Sequence, residues 1–102
     1  MKYSKDNLPP KGAVARTLSK YMFIRKGGEA YHCLAPNFPD NAYDCEAIYV
    51  YGEDGDYWVG NYCEGYGLMD IRFLKADCRD ATEEEKRWIE DNDGSNVWFV
   101  KF

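Results

Sequence analysis

The chain is 102 residues long, with 13 Lys and Arg set against 18 Asp and Glu, for a formal net charge of −5. A chain of that length makes one domain, expected over residues 1–102, and buries roughly two thirds of its unfolded surface. Its negative field repels phosphate backbones and anionic membranes, so direct nucleic-acid binding is disfavoured.

Nine Tyr, five Phe and three Trp supply large rings for a core, and strands are their usual setting. Residues 1–11 are polar and read as an extended N-terminal segment, because Pro9-Pro10 disfavours helix. They carry no apolar h-region, and no run in the chain is long enough to cross a membrane, which predicts a cytoplasmic protein.

Ala13 to Leu18 forms a first expected strand. Tyr21 to Arg25 and Glu29 to Leu34 flank Lys26-Gly27-Gly28, where glycine supplies the positive φ of a tight hairpin turn. Met22 to Ile24 is apolar throughout, which predicts that part of this strand is covered on both faces. Ala35 to Asp44 then loses periodicity around Pro36 and Pro39. It reads as a loop in which Phe38 is a candidate contact residue.

Ala47 to Tyr51 and Tyr57 to Tyr62 are two further strands, joined by Gly52-Glu-Asp-Gly-Asp56. Gly65-Tyr66-Gly67 bends the chain into another strand, Leu68 to Leu74, whose Met69, Ile71 and Phe73 form the expected core face. Thr82 caps a short helix over about 82–92, with Glu85 at the capping-box position and three carboxylates at the positive end of the dipole. Trp88 and Ile89 would dock it on the sheet. Asn96 to Phe102 reads as a C-terminal strand, and Trp58 and Trp98 are expected core residues. The fold class is mainly β (α+β), a small and strongly bent antiparallel sheet with one helix before that last strand.

Asp56-Tyr57-Trp58-Val59-Gly60, followed by Gly65 and then Gly67-Leu68-Met69, resembles the second half of an SH3 domain across residues 56–69. The resemblance implies an SH3-like β-barrel, with Tyr57 in the place of a groove-lining aromatic and Trp58 facing inward. Asp70 stands where that family's groove-forming Pro would be expected. The likeness therefore implies an architecture, not polyproline recognition.

Cys33, Cys45, Cys63 and Cys78 lack a Cys-x-x-Cys knuckle, and His32 next to Cys33 would point to the opposite face of a strand. The thiols read as buried small residues, and neither metal nor cofactor is expected. Carboxylates at Asp44, Glu46, Glu64 and Asp70 have no spacing that forces two together. No phosphate loop, Ser elbow or His-Glu-x-x-His occurs, which argues against an enzyme.

What remains is a small acidic binding module acting on a protein partner with a basic surface. A phage or mobile-element accessory or inhibitor protein fits that description. The expected contact patch is Tyr57 and Tyr66 ringed by Asp54, Asp56 and Glu64, with Phe38 as a further candidate. The alternative is a small-molecule or nucleotide binder with an aromatic pocket among Tyr49, Tyr51, Tyr57 and Tyr62.

Overall fold

In the computed structural model, which describes residues 2–10, 12, 14–32, 43–63, 70–92, 97 and 99–102, the protein is mainly β with one short helix. The strands are β1 (Lys20–Arg25), β2 (Ala30–Tyr31), β3 (Cys45–Asp54), β4 (Tyr57–Tyr62), β5 (Ile71–Leu74) and β6 (Cys78–Asp80), and the helix is α1 (Glu83–Asp91). The strands pair antiparallel in the order β2-β5-β4-β3-β1-β6.

The β3–β4 hairpin is the most local element. Asp54 stands opposite Tyr57, and Gly55 turns the chain at φ 59°, a conformation that strains any residue bearing a Cβ. A register shift between Val50 and Gly52 adds a bulge to β3 and increases its twist.

Two short connections force this sheet to curl. β5 and β6 are second and sixth in the order, which on a flat sheet with strands about 4.8 Å apart would set them roughly 19 Å from each other. Only the 3-10 turn Lys75–Asp77 joins them, and even a fully extended three-residue link reaches no more than about 14 Å. Residues 26–29 likewise carry the chain from β1, fifth in the order, to β2 at the opposite edge.

Asp77 fastens these two connections together. It is buried, and its carboxylate accepts from Arg25 Nε at 2.7 Å and from the Glu29 N–H at 2.7 Å. Gly28 allows the approach, since a Cβ there would lie 2.8 Å from Ile24 Cγ1 and 3.0 Å from Asp77 Cβ.

Curling gives the sheet an inner face and an outer face. Met22, Ile24, Ile48, Val50, Ile71 and Phe73 fill the inside, each burial stabilising by about 1.5–3 kcal/mol. Ile71 and Phe73 thus take the core face expected of them. The outer face is covered at two places. Phe23, Ala47 and Cys45 lie under Ile89 of α1 and under Val97 and Val100, while Tyr31 and Tyr57 lie under Tyr3. The unbroken apolar run Met22 to Ile24 follows from this double covering.

The helix begins as the sequence indicates. The Thr82 hydroxyl accepts from the Glu85 N–H at 3.2 Å, and the Glu85 carboxylate accepts from the Thr82 N–H at 2.8 Å, a capping box of about 1 kcal/mol.

Three expected elements differ. Residues 14–18 are not a strand; Leu18 donates to the Tyr51 carbonyl at 3.0 Å and Val14 N–H donates to Asp70 at 3.1 Å, so the segment crosses the sheet on isolated bonds. β1 and β2 do not form a hairpin with each other, because β1 is already paired on both sides by β3 and β6, and β2 joins β5. The expected C-terminal strand is absent among the described residues, where Val100 N–H turns back onto the Val97 carbonyl. Val97 and Val100 are buried under this turn, which gives the apolar C-terminal segment its packing without a ladder. The bend at residues 65–67 and Trp98 lie outside the described residues.

Candidate interaction surface

The hairpin end carries three of the six expected contact residues, and the structure uses two of them, Asp54 and Tyr57, internally. Tyr57 is 1% exposed, so its expected exposure is corrected. Its ring packs against Tyr3 with centroids 5.1 Å apart and against Tyr31 at 6.3 Å. Its hydroxyl accepts from the Tyr3 N–H at 3.2 Å and donates to the Tyr3 carbonyl at 3.3 Å.

Asp54 is half-buried. It accepts from the Tyr3 hydroxyl at 2.5 Å and faces Arg72 Nε at 3.5 Å. Burial, and then the Asp54 carboxylate, push the Tyr3 phenol above its usual range. Asp56 is exposed at the turn, with its carbonyl accepting from the Lys75 N–H at 2.9 Å. Phe38, Glu64 and Tyr66 lie outside the described residues. The signal for this burial was present in Tyr3, Leu8 and Pro9, apolar residues scattered through a segment that reads as polar.

Trp58 packs against the inner cluster but is half-exposed, so it is not the enclosed core residue expected. Lys20 Nζ and Lys75 Nζ lie 4.0 and 4.4 Å from its ring centroid, within cation–π range. Asp80 and Glu53 neutralise those ammonium groups at 3.4 and 2.6 Å.

The four tyrosines of the small-molecule alternative separate into different environments. Tyr62 meets Phe73 edge-on inside the sheet, Tyr57 lies under Tyr3, and Tyr49 sits on the outer face between Tyr21 and Tyr51. The Tyr51 hydroxyl donates to Asp70. Burial and that carboxylate push its phenol up to about 12, so it serves as a neutral donor at neutral pH. Asp70 is thereby engaged twice, by Tyr51 and by the Val14 N–H.

Exposed rings gather instead beside α1. Phe99 is 56% and Phe102 45% exposed, and Phe99 meets the half-buried Trp88 edge-on at 5.1 Å. Arg79 holds this region to the sheet. It donates to Glu85 through both terminal nitrogens and to the Lys101 carbonyl at 2.6 Å, and its guanidinium lies 4.9 Å from the Phe23 ring and 5.9 Å from that of Phe102. Glu84 and Asp91, four residues before and three after Trp88, share its side of the helix and are exposed. The result is an aromatic surface with carboxylates along one border. Sequence reasoning assigned these rings to a strand because nothing in Asn96 to Phe102 marks a turn. Tyr43, 40% exposed, is the other large exposed ring among the described residues.

No protein-family model, curated protein or solved structure matches this chain. Among the described residues no helix is long and apolar enough to cross a membrane.

Proposed function

We propose that this chain is a non-enzymatic binding module for a protein partner, and that its contact surface centres on Phe99 and Phe102 with Trp88 behind them. The observation that carries the reading is the exposure of Phe99, which packs on Trp88 of α1, and of Phe102, which lies beside the Arg79 that pairs with Glu85 of the same helix; such rings supply contact area at low entropy cost. Glu84 and Asp91 along its border favour a partner with basic residues around an apolar centre. A second copy of this chain would bring the same carboxylates against each other, on top of a net charge of −5 per molecule.

A small domain that acts by contact suits an accessory or inhibitor protein of the phage or mobile-element kind. We read the scaffold as an SH3-like barrel, a reading favoured by the curl of the sheet and the 3-10 turn Lys75–Asp77.

The test is differential capture. Proteins retained from lysate by the wild type are compared with those retained by Phe99→Ser/Phe102→Ser, with both proteins shown to be folded by circular dichroism. A partner lost on the double substitution, whose on-rate falls with salt and with Glu84→Gln/Asp91→Asn, supports the reading. Identical capture by both proteins overturns it.

A further inference from the structure

Residues 2–10 lie on the outer face of the sheet without joining any ladder. Tyr3 and Leu8 of this segment pack with Tyr31, Tyr57 and Leu74, and Pro9 is buried. Between Tyr3 and Leu8 the segment bonds to itself, Ser4 and Asn7 exchanging backbone N–H and carbonyl at 3.0 and 3.2 Å.

The sheet reads Tyr3 in a way that does not depend on its belonging to the same chain. One hydroxyl, that of Tyr57, engages both the N–H and the carbonyl of Tyr3, and Asp54 takes the phenol. These contacts hold a segment that turns on itself between Ser4 and Asn7, and they grip it by the main chain and the side chain of one aromatic residue. Pro9 and Pro10 have no N–H with which to extend the contact into a strand, so the segment docks through side chains and through Tyr3.

We propose that residues 2–10 are a built-in ligand seated in a peptide-binding site formed by Asp54, Tyr57, Tyr31 and Leu74. The partner that takes this site is a peptide segment of another protein with the same chemistry, a tyrosine followed five residues later by Leu-Pro. Binding in trans requires the segment to lift, and the apparent affinity falls by the fraction of molecules in which it is lifted. The site is separate from the surface around Phe99 and rests on different residues.

The experiment uses the full chain and a fluorescein-labelled peptide with the sequence of residues 2–10, followed by anisotropy. Tyr3→Ala/Leu8→Ala loosens the built-in segment while leaving the site intact. The labelled peptide should bind this variant at least about tenfold more tightly than it binds the wild type. A peptide with alanine in place of its tyrosine should lose that binding. Equal affinity for the two folded proteins, or indifference to the tyrosine, overturns the proposal.

If the double variant does not fold, amide exchange of the wild type decides. Exchange of the Tyr3 N–H far faster than that of Ile48 and Val50 supports a segment that lifts by itself. Exchange of all three at one global rate shows a fixed part of the core and overturns it.

Discussion

Arg79 and Glu85 face each other fork to fork, Nη1 on Oε1 at 2.8 Å and Nη2 on Oε2 at 2.9 Å, across the junction between β6 and α1. The same carboxylate closes the capping box, so one side chain fixes both the start of the helix and its position on the sheet.

That pairing predicts an acid-dependent stability. The Arg79 hydrogen bond holds the Glu85 carboxyl below its ordinary 4.5, against the opposing effect of burial. A carboxyl with a lowered pKa stabilises fully above its unfolded value, and the contribution disappears as pH falls through the folded one. Glu85→Gln should therefore cost about 1–3 kcal/mol at pH 7 in urea unfolding, with the gap from wild type narrowing below pH 4.5. A gap independent of pH would show that the charge contributes nothing.

The curl of the sheet predicts a second outcome. Gly28→Ala places a methyl group 2.8 Å from Ile24 Cγ1 and 3.0 Å from Asp77 Cβ, and should destabilise by about 1–3 kcal/mol through overpacking. Thermal unfolding checks this, and a melting temperature equal to that of the wild type would show that the corner can relax.

Burial raises the Cys78 thiol to about 12, with Asp77 adding to it, and the Cys45 thiol to about 11. The raised values keep both groups protonated well past their ordinary 9.0, and the thiolate is the reactive form. Iodoacetamide at pH 8 followed by peptide mapping should leave both unmodified in the native protein and label both in urea. Rapid native labelling of Cys78 would show that this half-buried thiol is open to reagent.

Trp58 and Phe73 sit opposite each other on β4 and β5, but only Phe73 is fully enclosed. Phe73→Ala should cost about 3–5 kcal/mol, and Trp58→Ala clearly less, as measured by urea unfolding. Equal costs would mean that the Lys20 and Lys75 contacts on the indole carry as much as enclosure does.

The hairpin at Gly55, the capping box at Thr82 and the inward face of β5 were legible because each depends on neighbours in sequence. What escaped was set by distance along the chain. Lys26-Gly27-Gly28 marks a turn correctly, but which strands it joins depends on β3 and β6 having already taken both edges of β1. Tyr57 follows an Asp-Gly-Asp turn and so reads as an exposed tip, and only the return of Tyr3 to it, 54 residues away, buries it. Asn96 to Phe102 has strand-forming composition, yet Val97 and Val100 pack on Phe23, Ala47 and Cys45 without joining a ladder, and composition alone does not record that.

The pairing of β1 with β6 has a kinetic consequence. Met22 stands opposite Asp80, so the last ladder joins residues separated by more than half the chain, whereas β3 and β4 meet across two residues. Loop-closure entropy favours the short hairpin early and leaves the β1–β6 seam, with Arg25 on Asp77, for late in folding. Contacts made after the transition state act on the rate of escape from the native state. Weakening this corner should therefore shorten the lifetime of the folded protein and leave its rate of formation almost untouched.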